Sequence, residues 1–243
     1  ETILSAVPVQ INPQREKHAQ AILGLKIMDF ESKGLNISKA DLEGAKNYYL
    51  DLQVKTLEIL RDNGIAVPPK NKEEVLNVWA EVSGTLWGNA RYFNMNTVLD
   101  GISRHTRDGY GKPQLDCDTS AFFVADIFKA MGLETAIIVL PQHAILEVKI
   151  QSSGKPVYIE TTAKNEKISL SYYDYLDQVK KKYGKEEGEL RFKYDLGEKS
   201  ELWSLLYMNR GNARAESENR EGAFDDYQKA VEYSGKFGSV YTN

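Results

Sequence analysis

Leu115-Asp-Cys-Asp-Thr-Ser-Ala-Phe-Phe-Val-Ala-Asp-Ile-Phe-Lys-Ala-Met-Gly132 is the stretch on which the fold turns. Ala121, Phe122, Phe123, Val124, Ala125, Ile127 and Phe128 leave almost no polar face when wound into a helix, and such a helix is buried on most sides. Asp116 or Asp118 can cap its start. Gly132 ends it, because glycine accepts the left-handed turn that closes a helix.

Downstream the period changes from helical to two. Thr135 to Leu140 is a nearly continuous apolar run, suited to a central strand. From His143 to Ile150, Ala144, Leu146, Val148 and Ile150 fall on one face, and His143, Ile145, Glu147 and Lys149 on the other. Ser152-Ser-Gly-Lys-Pro156 is a turn, and Val157 to Thr161 is the next strand. A buried helix followed by antiparallel strands makes the fold class α+β.

Upstream, the first dozen residues read as extended, since Pro8 and Pro13 disfavour helix before them. Gln14 to Phe30 is helical and ends at Gly34. Ser38-Lys-Ala-Asp41 opens a second helix like a capping box with Asp in place of Glu. That helix runs to Asn63-Gly64, with Leu50, Val54, Leu57 and Leu60 at helical spacing. Pro68-Pro69 breaks the chain. A third helix spans Asn71 to Trp87. Gly88 to Leu115 is loop-rich, with a short helix around Thr97 to Arg104 and a turn cluster from Asp108 to Pro113. Near the C-terminus, Ser204 to Phe237 is again helical, with small residues Gly211, Ala223 and Ala230 where two helices approach. The reading divides the chain into a helical region, 1–70, a core, 71–200, and a helical hairpin, 201–243.

Composition narrows the function. The 243 residues are 42% hydrophobic and 27% charged, with a net charge of −4, as in an ordinary globular protein. Lys180-Lys-Lys182 is soon offset by Glu186, Glu187 and Glu189, so there is no nucleic-acid footprint. No apolar run approaches the roughly 20 residues of a membrane span. The single cysteine, Cys117, rules out an intrachain disulfide and a cysteine zinc cluster. Three scattered histidines do not point to a metal, and nothing calls for a cofactor. The sequence opens at Glu1 without Met, which fits a leader-cleaved bacterial protein working outside the cytoplasm.

Nucleophilic thiol chemistry needs a cysteine whose thiolate is favoured, a histidine to carry the proton and a third group to orient the histidine. Cys117 opens a helix, where unpaired N–H groups favour a thiolate and can line an oxyanion hole. Asp116 and Asp118 oppose that effect. His143 opens a strand on its more polar face, and Glu160 lies on the next strand. A turn centred on Gln151–Ser152 puts His143 and Glu160 directly opposite. One centred on Ser153–Gly154 staggers them by four residues, roughly 13 Å. Taken alone, a single cysteine is most often a small buried hydrophobe, and His18 and His105 sit in polar stretches with no chemical context.

The combined pattern resembles the transglutaminase-like superfamily. The Cys117 segment is similar to its cysteine helix, which ends in Gly-Leu before a strand. Leu140-Pro-Gln-His-Ala-Ile-Leu-Glu-Val148 is similar to its histidine strand. Val157-Tyr-Ile-Glu-Thr-Thr162 is similar to its third-residue strand, although Glu160 stands where Asp is commoner. Gly88, Asn89, Tyr92, Asn96, Leu99 and Pro113 resemble a bacterial branch. The resemblance implies a papain-like core with Cys117 as nucleophile, His143 as base and acid, and Glu160 as orienter. It also implies an upstream polar side chain in the oxyanion hole, for which Asn96 and then Gln114 are candidates. The implied activity is that of a cysteine protease or amidase on a polypeptide substrate. A non-catalytic scaffold and an acyl transferase with an amine acceptor are the alternatives. Ser204 to Phe237 resembles one 34-residue TPR repeat, with Gly235 at the closing Pro position. That implies packing on the core or on further repeats, and a protein partner.

Overall fold

The computed structural model describes residues 22–65, 67–92, 97–108, 112–140, 143–150, 155–163 and 190–234. The expectations for residues 1–21, Asn96, His18, the 151–154 turn, the Lys180–Lys182 run and Gly235 fall outside that set.

Three helices precede the sheet: α1 (Leu23–Ser32), α2 (Lys39–Asp62) and α3 (Lys72–Asn89). Ser38 caps α2 by accepting from Asp41 N, and Asn71 caps α3 by accepting from Glu74 N; each satisfies a backbone donor that the helix itself cannot. A short parallel pair follows, β1 (Arg91–Tyr92) with β2 (Gln114–Leu115), and α4 (Val98–Asp108) lies between them in sequence. The helix α4 runs four residues beyond the expected Arg104.

The helix that decides the fold, α5, spans Cys117–Ala130. Asp116, rather than Asp118, is its N-cap: Asp116 Oδ1 accepts from Thr119 N while Thr119 Oγ1 accepts from Asp116 N, a complete capping box. Gly132 has φ +83°, and Leu133 N reaches back to Phe128 O. That reversal carries the chain into a four-stranded antiparallel sheet.

The sheet is formed by β3 (Glu134–Leu140), β4 (His143–Lys149), β5 (Pro156–Ile159) and β6 (Leu190–Lys193), in the order β5-β4-β3-β6. The architecture is therefore α+β. The sequence reading has no counterpart of β6, and the observed β5 ends at Ile159, before Glu160, rather than at the expected Thr161. The β4–β5 register also falls between the two considered. Leu146 pairs with Ile159 and Val148 with Val157, so His143 and Glu160 are offset by two residues. An offset of two keeps both side chains on one face as diagonal neighbours, about 7 Å apart at the backbone and within reach of long side chains.

Leu146, Val148, Val157, Ile159 and Phe192 present the sheet's apolar face to α5, whose Phe122, Phe123, Val124 and Phe128 are almost wholly buried. The same core continues through Trp79 of α3 and Ile27, Met28 and Tyr49 of α1 and α2. The N-terminal helices thus pack behind α5. Asp126 fastens them, accepting from Leu23 N, Gly24 N and Tyr49 Oη, each at 2.9 Å. Gln53 adds a bond to Phe123 O.

The C-terminal hairpin comprises α6 (Leu202–Glu216) and α7 (Arg220–Ser234). Gly211 allows its two helices to close: a Cβ there would lie 2.7 Å from the Tyr227 ring. Leu202, Leu205 and Leu206 join the main core. Arg210 and Arg214 both reach Asp226 across the hairpin, and they also donate to Phe30 O and Gly34 O at the end of α1. The hairpin is therefore docked on the core through buried, partnered charges.

Candidate active site

Cys117, His143 and Glu160 come from three elements that meet at the N-terminal end of α5. The capping box fixes the first turn, and with it the Cys117 backbone. Thr161 then ties the β5 end to that turn: its Oγ1 donates to Cys117 O at 3.2 Å and lies 2.9 Å from Ser120 Oγ. On the other side, the backbone N–H of Ala144 lies near enough to the Cys117 thiol to favour its charged form. The chain neighbours of both Glu160 and His143 thus clasp the cysteine.

His143 Nε2 and Glu160 Oε2 are 2.5 Å apart, a short, charge-assisted contact. Both side chains are largely buried, at 18% and 14% exposed. Glu160 is held in turn by Thr162 N at 3.0 Å and Thr162 Oγ1 at 2.5 Å. Burial raises the Glu160 pKa, but the bonds from His143 and Thr162 outweigh it and hold the carboxyl below its usual range. Glu160 is an ionised acceptor that fixes the imidazole tautomer.

Two side chains of α3 secure this turn. Trp87 Nε1 donates to Thr161 O at 3.0 Å, and Ser83 Oγ to Ala163 O at 3.1 Å. Neither stood out in the sequence, because a Trp and a Ser on an amphipathic helix read as ordinary core positions.

The thiol requires a correction. A helix N-terminus is expected to favour the thiolate, yet burial first, and then the Asp118 and Asp116 carboxylates, push the Cys117 thiol well above its ordinary value. The N–H groups of Ala144 and Asp118 work in the opposite direction and do not overcome this. The resting group is therefore a neutral thiol, and a base must remove its proton as it reacts.

Of the two oxyanion candidates, Gln114 is half-buried in β2, three residues before Cys117, while Asn96 is outside the described residues. Tyr92, beside Leu115 in the β1–β2 pair, is 52% exposed; partial burial first, and then the nearby Asp116 and Glu160 carboxylates, raise its hydroxyl above the ordinary value. Asn209 of α6 also reaches the site, donating to Asp118 Oδ2. Among the described residues, no group of three or more His, Cys, Asp or Glu is arranged to hold a metal, and no helix is long and apolar enough to cross a membrane.

Comparison with protein-family models, curated proteins and solved structures finds no match to this chain.

Proposed function

We propose that the chain is a cysteine hydrolase of the transglutaminase-like kind, cleaving a peptide or other amide bond through a thiol acyl-enzyme. The observation that carries this reading is the 2.5 Å His143–Glu160 contact beside a cysteine clasped by Ala144 and Thr161. A purely structural cysteine needs no oriented imidazole next to it.

With Nε2 committed to Glu160, the proton passes from Cys117 Sγ to His143 Nδ1 as sulfur attacks the substrate carbonyl carbon. The new C–S bond forms, and the oxyanion faces the backbone N–H groups at the start of α5, with Gln114 in reserve. The tetrahedral centre then collapses. The C–N bond breaks, and His143 returns its proton to the departing amine. Water attacks the thioester next, giving a proton to His143. The C–S bond breaks, the acid leaves and the thiol is restored. An amine in place of water makes the same residues an acyl transferase. Glu160 stabilises the imidazolium in every step.

The high thiol pKa favours one rival, a binding scaffold that keeps the residues without turnover. Incubation with p-nitrophenyl acetate separates the two. The enzyme reading expects a burst of nitrophenol equal to the protein concentration and an acetyl group on Cys117 by mass spectrometry. Loss of the acetyl in the presence of water alone or of a primary amine then identifies the acceptor. No burst above that of Cys117→Ala would leave the scaffold.

A further inference from the structure

Asp118 follows the nucleophile in the chain and is itself buried, with 8% of its surface exposed. Its Oδ1 accepts from Thr119 N at 2.9 Å. Its Oδ2 accepts from Asn209 Nδ2, a residue 91 positions away on α6 and only 6% exposed. The hairpin is anchored independently of this contact, through Arg210 on Phe30 O and Arg214 on Gly34 O, while Arg210 on Asp226 and Ser204 on Ala230 O hold its two helices together. Asn209 is therefore presented to Asp118 by a docked element rather than drawn in by the contact itself.

We propose that Asn209 is a positioning residue for the thiol site, by which docking of the C-terminal hairpin sets the charge beside Cys117. The proposal rests on the reading of Cys117 as the nucleophile. Asn209 donates to the carboxylate form of Asp118 and offers it no acceptor at Nδ2, so it favours the charged form. Burial and the neighbouring Asp116 act in the opposite direction and raise Asp118 well above its ordinary range. The groups facing this carboxyl are Asp116 and Cys117 on its own segment, Tyr92 on β1 and Asn209 on α6. His143 and Glu160 stand across the cysteine, and the adjacent Arg210 is engaged by Asp226. Asn209 is thus the donor that α6 supplies to a crowded pair of acids. A ligand or partner that shifts α6 would change how much negative charge the thiol faces.

The test is the pH profile of Cys117 alkylation by iodoacetamide in the full chain. Asn209→Leu keeps the volume, excludes water and removes the donor. Asp118 then stays protonated to higher pH, and the midpoint for Cys117 falls by about half a unit, roughly threefold in rate at pH 7. Asp118→Asn removes the charge outright and gives a shift in the same direction, at least as large. In the Asp118→Asn background, Asn209→Leu adds nothing, because its route to the thiol is gone. A profile unmoved by Asn209→Leu or by Asp118→Asn, or equal shifts from Asn209→Leu in both backgrounds, would overturn the proposal. Failure of the catalytic reading shows elsewhere, as a profile indifferent to His143→Ala.

Discussion

Asp118 and Asp126 sit two turns apart on the same helix, both buried, and they have opposite characters. Asp126 accepts from two backbone N–H groups and a tyrosine hydroxyl, with the Lys129 ammonium nearby to favour its charge. Its pKa is raised to about 6, chiefly by burial. It joins the N-terminal helices to the core, and that is its whole task. Asp118 has a second acid beside it, a thiol next to it and a donor borrowed from the far end of the chain. One end of α5 is electrostatically settled and holds the fold. The other is contested, and a cluster of perturbed groups in mutual contact marks it as the candidate functional end.

The largest effect that tests this contrast is on turnover. Cys117→Ala should lower acyl transfer by at least roughly 10³-fold while moving the unfolding free energy by under about 1 kcal/mol, measured by ester burst and urea titration. The mirror image is Asp126→Ala. It strands two buried N–H groups and the Tyr49 hydroxyl, and should cost about 3 kcal/mol of stability, with the pH midpoint of Cys117 alkylation unmoved. If Asp126→Ala shifts that midpoint, the two ends of the helix are not separate. Glu160→Gln comes next: it keeps the shape but loses the charge that orients His143, and should slow acylation roughly a hundredfold. An unchanged rate would make the 2.5 Å contact merely structural.

The last effect is a pH dependence of stability, gradual in slope. Glu31 is buried under α4, accepting from Val98 N and Leu99 N, and burial raises its pKa from 4.5 to about 8. Between those values the folded protein retains a proton that the unfolded chain has released, so stability falls as pH rises. The slope is at most about 1.4 kcal/mol per pH unit. Asp126 adds the same sign between 3.8 and about 6. Glu160, with its lowered pKa, has the opposite sign: its contribution is present above the ordinary carboxylate value and is lost in acid. The melting temperature should decline from pH 5 to 8, and Glu31→Gln should flatten that decline. A melting temperature that rises over this range would contradict the assignment.

Much of this arrangement was legible in local pattern. The all-round apolar helix, its glycine stop and the strand after His143 are features within a few residues of one another, and the structure forms each of them, although Ile145 and Glu147 on the expected polar face of that strand are buried as well. The β4–β5 register was not legible, because Ser152, Ser153 and Gly154 all accept turn geometry and none selects the centre. The strand β6 was missed because Leu-Arg-Phe-Lys alternates over only four residues next to a charged run. The thiol was misjudged because the helix N-terminus is visible in sequence, whereas burial and the side-chain directions of Asp116 and Asp118 are not. The Asn209 contact bridges 91 positions, and no pairwise pattern in a single chain marks it. Local pattern together with the family resemblance thus singled out three residues that the structure brings together, and long-range packing sets the charges around them.

The most direct test is the pH dependence of Cys117 alkylation in the intact protein and in His143→Ala. If Cys117, His143 and Glu160 act as one unit, the intact protein shows an inflection below the thiol's own, and His143→Ala abolishes it. A single high inflection, the same in both proteins, would mean that the thiol titrates alone and that no catalytic unit exists.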